Sequence, residues 1–380
     1  MKVENFGQEL RGKMSKEKSF IIEDTNVVPN KTKFAICFSI DNSYAKYFSV
    51  VLQSFILNCS KEVNYDIIVL FNDLSIENIS RLSSDLPKNI SLRFYNITQI
   101  KEKFIDKNKF KPRGYWSESM YFRLLIPEIF KNYEKVLYCD SDIIFNDNID
   151  KIFSIDTEDK SLLVVLDSVA QELKYNKKRK KFIENELNIK KSSCYFNSGV
   201  ILFNLSKIDN EKYFESLTLN LKNHRNLLFP DQDLLNIIFQ DKVKYVSQVW
   251  NFQVNIQIYQ QAHLPYYEQE YLNDYLAAKA NPIIIHYSGS EKPWQNPFLF
   301  LHYKFWEIAI KSNFYTEILY EDFNEKLKLI SNKNSINRKY LIAKILSWIT
   351  FGRAKIKIKE ERVKLKVKVR TIKNIINGDY

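Results

Sequence analysis

Two aspartates one residue apart, Asp140 and Asp142, stand between the apolar runs Lys135–Cys139 and Ile143–Phe145. In extended backbone side chains alternate, so both carboxylates point one way while Ser141 points elsewhere. Carboxylates held that close repel each other unless a cation sits between them. Hard oxygen ligands suit Mg²⁺ or Mn²⁺, ions that keep positions open for phosphate oxygens. The plain alternative is a solvated Asp-Ser-Asp turn, and so short a motif does not decide between them. Other groups widen the choice. His286 follows Ile283, Ile284 and Ile285, and a lone histidine at a strand end is more often structural than a ligand. Lys292, between that histidine and Pro293-Trp294, suggests an anion site. Pro230-Asp231-Gln232-Asp233 opens an apolar run; an aspartate there is ordinarily a helix cap, yet three polar side chains together are unusual for one. Arg123 lies among apolar neighbours, either as a structural ion pair or beside the acidic pair, holding it or reaching a ligand.

The elements that must position these residues read as an α/β alternation. Lys33–Ile40 is a strand candidate ending at Asp41, followed by a helical pattern from Tyr44 to Asn58 with apolar residues on several faces. Strands are expected over Tyr65–Leu70 and Ser91–Tyr95, with a helix over Ile76–Leu86 between them. Such alternation implies a mainly parallel sheet covered by helices, with ligands beyond the carboxyl ends of its strands. Asp41 and Asp140 both fall there. Ser117–Ile126 reads as a helix capped by Ser117, Lys174–Lys191 as a mobile, solvated, lysine-rich insertion, and Lys244–Phe252 as a strand. Asn197-Ser198-Gly199 precedes another buried strand, where Gly199 serves either the turn or a close backbone approach.

Composition narrows the class. An apolar fraction of 45% in 380 residues supports a sizeable core. With seven glycines and neither G-x-G nor G-K-[ST], a backbone phosphate cradle is disfavoured, which leaves a metal ion to neutralise a diphosphate. Four dispersed cysteines (Cys37, Cys59, Cys139, Cys194) argue for reduced thiols, a cytoplasmic location and no zinc site. No signal-peptide block or membrane-spanning run is present in the sequence. The net charge of +12 is not that of a nucleic-acid binder: Lys333–Lys373 holds fourteen Lys/Arg against Glu360 and Glu361, and the rest is close to neutral. This tail alternates basic and apolar residues and carries Trp348, so an anionic membrane surface is its expected partner.

Taken in order, FSIDNSY, SMYFRL, YCDSD, FNSGVILFNL, PDQD and HYSGSEKPW resemble the motifs of family 8 glycosyltransferases, retaining enzymes of the GT-A fold that include lipopolysaccharide galactosyl- and glucosyltransferases. The resemblance covers roughly Lys33 to Trp294. It implies that Asp140, Asp142 and His286 bind Mn²⁺, with Mg²⁺ as the alternative. It also implies that Asp41 and Tyr44 meet the uridine, that Arg123, Asn197, Asp231 and Gln232 line the donor sugar, and that Gly289 and Lys292 clasp the diphosphate. Gln232 and Asp231 are the catalytic candidates, orienting the sugar and stabilising its positive face. The family often has a second acid where Asn42 stands and an alanine where Ser198 stands. The expected organisation is an N-terminal extension (1–32), a GT-A domain with one Rossmann-like sheet (33–300), a helical segment (301–332) and a basic amphipathic tail (333–380). The expected activity is transfer of galactose or glucose from a UDP-sugar to a lipopolysaccharide-core, other cell-surface or lipid-linked glycan, on the inner face of the cell membrane. A nucleotidyltransferase also needs paired carboxylates, and an inactive membrane scaffold needs only the tail; hydrolysis of UDP-sugar discriminates these.

Overall fold

The computed structural model describes residues 21–22, 27–29, 34–100, 118–171, 177–224, 227–254, 267–296, 298–322 and 366. Apart from Lys366, the basic tail lies outside the described residues, as does Ser117.

The strands are β1 (Ile21–Ile22), β2 (Phe34–Ser39), β3 (Tyr65–Phe71), β4 (Ile90–Asn96), β5 (Lys135–Cys139), β6 (Ile143–Phe145), β7 (Leu162–Leu166), β8 (Phe196–Asn204), β9 (Val243–Tyr245), β10 (Phe252–Gln253) and β11 (Ile284–His286). Eight of them form one sheet in the order β1-β4-β3-β2-β5-β8-β7-β9, and β10-β11-β6 form a small second sheet. In the main sheet only β8 runs against its neighbours β5 and β7. The fold is therefore a mixed, mostly parallel sheet, as expected.

Apolar residues on alternate faces explain the layering. In β2, Ile36 and Phe38 belong to one core and Ala35 and Cys37 to the other. Helix α1 (Ala45–Asn58) packs on the first face, reached through a tight turn whose Asp41 side chain caps the backbone N–H of Tyr44 at 3.0 Å. Helix α2 (Ile76–Leu82) is capped by Ser75 and is shorter than the expected 76–86, because Asp85 adopts a positive φ and Pro87 follows. Helix α3 (Asn210–Asn223) and helix α4 (Pro230–Ile238) cover the other face. Helix α5 (Gln269–Ala280) and helix α6 (His302–Ala309) close the first.

Four expectations change. The segment before residue 32 is not wholly separate: β1 pairs in parallel with β4, and buried Val27 donates its N–H to the Ile129 carbonyl. Glu118–Leu125 is a tight 3-10 run continuing into a short α-turn, Ile126–Ile129, with Pro127 near its start. The lysine-rich insertion is anchored: a helical turn over Lys177–Lys181 leads into a wider one, and Ile183, Leu187 and Ile189 are buried in the core. The strand expected over Lys244–Phe252 is broken after Tyr245, where Ser247 caps a single turn, Gln248–Trp250.

Candidate active site

The crossing of β5 and β8 builds the centre. Cys139 faces Val200, and just past it the Asp140 N–H donates to the Gly199 carbonyl at 2.7 Å. Between β7 and β8 the register jumps from Val164–Ile201 to Val165–Asn197, so Ser198-Gly199-Val200 bulges out of that ladder, and Asn197, Ser198 and Gly199 line the cleft. A bulge of this kind re-aims side chains beside a site. A Cβ on Gly199 would lie 2.2 Å from His286 Cε1 and 2.8 Å from Asp140 Oδ2, so close approach is why glycine stands here. On the other side β11 pairs with β6, His286 opposite Ile143, and the Tyr287 N–H donates to the Asp142 carbonyl. Ser141 turns away and donates to the Ser39 carbonyl. Three sites distant in sequence thereby converge: the ligand atoms of Asp140, Asp142 and His286 lie within 4.8 Å of one another.

Hydrogen bonding decides which histidine nitrogen carries the proton. The backbone N–H of Gly199 donates to Asn197 Oδ1 at 2.9 Å, which fixes that amide's orientation. Asn197 Oδ1 also accepts from Asn251 Nδ2 at 2.8 Å, leaving Asn251 Oδ1 to accept from His286 Nδ1 at 2.7 Å. The proton is thus on Nδ1, and the lone pair of Nε2 faces Asp142 Oδ1 at 3.3 Å and Asp140 Oδ2 at 3.7 Å. Asp142 Oδ1 is buried without a hydrogen-bond donor. Lone pairs aimed at one another in a buried site are costly alone and favourable around a cation. Two oxygens and an imidazole nitrogen suit Mn²⁺ better than Mg²⁺. The residues fit the divalent metal that the sequence suggests.

Cationic side chains flank the cluster on both sides. Arg123, 5% exposed, donates to Asp140 Oδ1 at 2.6 Å and to the Ser198 carbonyl at 2.7 Å, and its Nε lies 3.2 Å from Asp231 Oδ2. Its guanidinium also stacks over Tyr138, whose hydroxyl donates to Asp140. Lys292 donates to Asp142 Oδ2 and to the Tyr287 carbonyl. Burial pushes the Asp140 carboxyl above its ordinary range, against the pull of Arg123 and with the help of Asp142. For Asp142 burial acts in the same sense, but the charge of Lys292 opposes it and the carboxyl lies below that range. The two acids are pushed apart, as expected where like charges share one site.

The cleft over this cluster has a volume of about 570 Å³, and its wall includes Asp41, Tyr44, Arg123, Asn197, Asp231, Gln232, Gly289 and Lys292. The site residues expected from the family resemblance therefore line one cavity. Gly289 holds a φ of 91°, a conformation glycine takes at no steric cost. Asp231 is no cap; it accepts from Ser198 Oγ at 3.2 Å and pairs with Arg123, while Asp233 accepts the N–H groups of Leu228 and Phe229. Gln232 Oε1 accepts from the Ser198 N–H at 3.0 Å, and its Nε2 donates to Asp167 Oδ2 at 3.1 Å.

Sequence reasoning missed Asp167, Asn251 and Tyr138. Asp167 carried a readable signal, since an apolar run ending in aspartate also marks Asp41 and Asp140. Asn251 carried none, because its role depends on β10 lying beside β11.

The sequence profile of "Glycosyl transferase family 8" matches residues 35–297, more than half of the chain. The chain belongs to that family. A lipopolysaccharide 1,2-glucosyltransferase of Escherichia coli is 26% identical to this glycosyltransferase over 272 residues, covering 69% of it and 74% of the relative. A lipopolysaccharide 1,3-galactosyltransferase of Salmonella typhimurium is 25% identical over 274 residues, covering 70% and 74%. Among solved structures, the galactosyltransferase LgtC, crystallised with donor and acceptor sugar analogues, superposes with a TM-score of 0.61 at 23% identity, covering 74% of this chain and 96% of its own. At that identity the likeness shows the fold, which is GT-A.

Proposed function

We propose that this family 8 glycosyltransferase is a retaining hexosyltransferase that moves glucose or galactose from a UDP-sugar to a lipopolysaccharide-core or other cell-surface glycan, with Mn²⁺ held by Asp140, Asp142 and His286. The observation that carries the reading is the Nε2 lone pair of His286 directed at the donorless Asp142 Oδ1. A bound Mn²⁺ would act as a Lewis acid toward the diphosphate leaving group. The names of the relatives above support the hexose and the acceptor class.

The chain's own residues have separable parts in the reaction. Lys292, on the cleft wall, would balance the charge that grows on the diphosphate as the sugar–phosphate bond breaks. Asp41 and Tyr44, on the same wall, meet the uridine. Tyr44 sits edge-on to Trp294, so its ring is held in place. Arg123 and Ser198 fix the carboxylate of Asp231, and Asp167 and Ser198 fix the amide of Gln232. The two sugar-facing groups are therefore rigid, which favours orienting the sugar and stabilising its oxocarbenium character. Gln232 Oε1 is already an acceptor for the Ser198 N–H, so a nucleophilic role suits it poorly. Attack from the leaving-group side is the route this arrangement favours. Among the described residues no helix is long and apolar enough to cross a membrane. Attachment to the inner face of the membrane is assigned to the basic tail.

Donor hydrolysis tests the reading. With Mn²⁺ and no acceptor, the full chain should release UDP and hexose from UDP-glucose or UDP-galactose. Asp140→Asn and Asp142→Asn should each reduce that rate by about 10² or more while the far-ultraviolet spectrum is kept. Near-normal turnover by either variant at saturating Mn²⁺ would remove the metal assignment.

A further inference from the structure

Resting on that reading, we infer that the basic turn Lys177–Lys181 is the recognition face for an anionic acceptor glycan, one bearing phosphate or acidic-sugar carboxylate groups near the acceptor hydroxyl. Placement is the first argument. Arg179 lies over the ring of Phe229 at 4.9 Å and its guanidinium is 3.9 Å from Asp167. Phe229 lines the cleft and immediately precedes the helix that carries Asp231 and Gln232. Asp167 holds Gln232 and Asn197. The turn is therefore fastened to the sugar-binding side of the site, on the Arg123 side and not beside Lys292.

Electrostatics is the second argument. Lys177, Lys178, Lys180 and Lys181 are all exposed. Their three- and four-residue spacings set like charges side by side, which is locally destabilising. Four other surface lysines meet acids closely: Lys190 with Asp241, Lys207 with Asp159, Lys212 with Asp209 and Lys244 with Glu158. Of the four lysines in this turn only Lys180 has a carboxylate partner among the described residues, Glu184 at 3.9 Å. Ile183, Leu187 and Ile189 anchor the segment in the core, so the charges cannot simply drift apart. A self-repelling cationic face fastened behind the wall of the cleft through Phe229 and Asp167 is relieved by an anionic partner bound there. A glycan satisfies both the charge and the position.

The test is equilibrium binding of a fluorescent, delipidated lipopolysaccharide core oligosaccharide in three forms: native, dephosphorylated and carboxyl-reduced. The full chain should bind the native form about tenfold more tightly than whichever neutralised form has lost the recognised group. Joint replacement of Lys177, Lys178, Lys180 and Lys181 by serine should abolish that preference, with donor hydrolysis as the control for folding. Equal binding of all three forms by the unaltered chain overturns the proposal. So does a preference that survives in the variant, which would assign it to the C-terminal tail. Loss of sedimentation with anionic vesicles, with oligosaccharide binding intact, overturns it in favour of a membrane surface. Failure of the unaltered chain to hydrolyse any UDP-sugar counts against the proposed function and leaves the binding comparison standing.

Discussion

On the proposed reading His286 ligates through Nε2, and Asn251 holds its other nitrogen. Replacing Asn251 by leucine should free the ring to rotate and to change tautomer. Outer partners of this kind are worth about 10–100-fold in metal affinity, so the Mn²⁺ concentration for half-maximal hydrolysis should rise by that factor. Calorimetric titration with Mn²⁺ checks it without turnover, and an unchanged affinity would mean that the Asn197–Asn251 relay is only packing. Gly199 sets a harder limit. Gly199→Ala puts a methyl 2.2 Å from a ring carbon of His286, so either the ring or β8 must shift. Activity should fall by about 10² or more, since misplacement of about 1 Å costs that much. A Gly199→Ala enzyme with normal Mn²⁺ affinity and turnover would show that the strand yields freely.

At the scale of elements, the start of α4 is where burial and ionisation compete. Asp233 accepts two backbone N–H groups and the Tyr195 hydroxyl, yet burial pushes its carboxyl up to about 6. A raised carboxyl binds its proton more tightly in the folded chain than in the unfolded one. Its stabilising contribution is complete below the ordinary carboxylate range and is lost as pH rises through 6. Two pH units correspond to roughly 3 kcal/mol at most, so thermal melts should show Asp233→Asn gaining on the natural chain between pH 4 and pH 7. A constant difference across that range would place the ionisation elsewhere. The same helix shows what the sequence could convey. Pro230-Asp231-Gln232-Asp233 was legible as a helix start, because proline and acids favour that position. Which acid faces the cleft came only from the family resemblance, because it depends on Arg123 arriving from another element. Strands β2 to β5 were readable from buried apolar runs. The buried strand after Asn197-Ser198-Gly199 was readable too, but its antiparallel direction and its bulge were not, because both depend on register against its neighbours.

For the whole molecule, the C-terminal helical segment and the basic tail behave differently. Phe305, Ala309, Phe314 and Ile318 join the same core as α1. Trp294 stacks on Tyr47 at 3.8 Å, Glu321 accepts from the Tyr47 hydroxyl, and Arg81 pairs with Glu317. Ending the chain after residue 332 should therefore preserve donor hydrolysis, whereas ending it after residue 300 should not. The 332 truncation should lose sedimentation with anionic vesicles, because each basic residue near such a surface contributes about 1 kcal/mol. Equal sedimentation of the truncated and full chains would show that the tail is not the anchor. The pairing of Lys292 with Asp142 spans 150 residues of sequence. On a ribosome adding roughly 5–20 residues per second, Asp142 is made some 8–30 s before the lysine that balances it. Until residue 286 is made the nascent chain has neither His286 nor Lys292, so Asp142 lacks both, whereas Arg123 is already there to pair with Asp140. On the proposed reading, catalytic competence thus arrives late in translation, only once the C-terminal motif has been made.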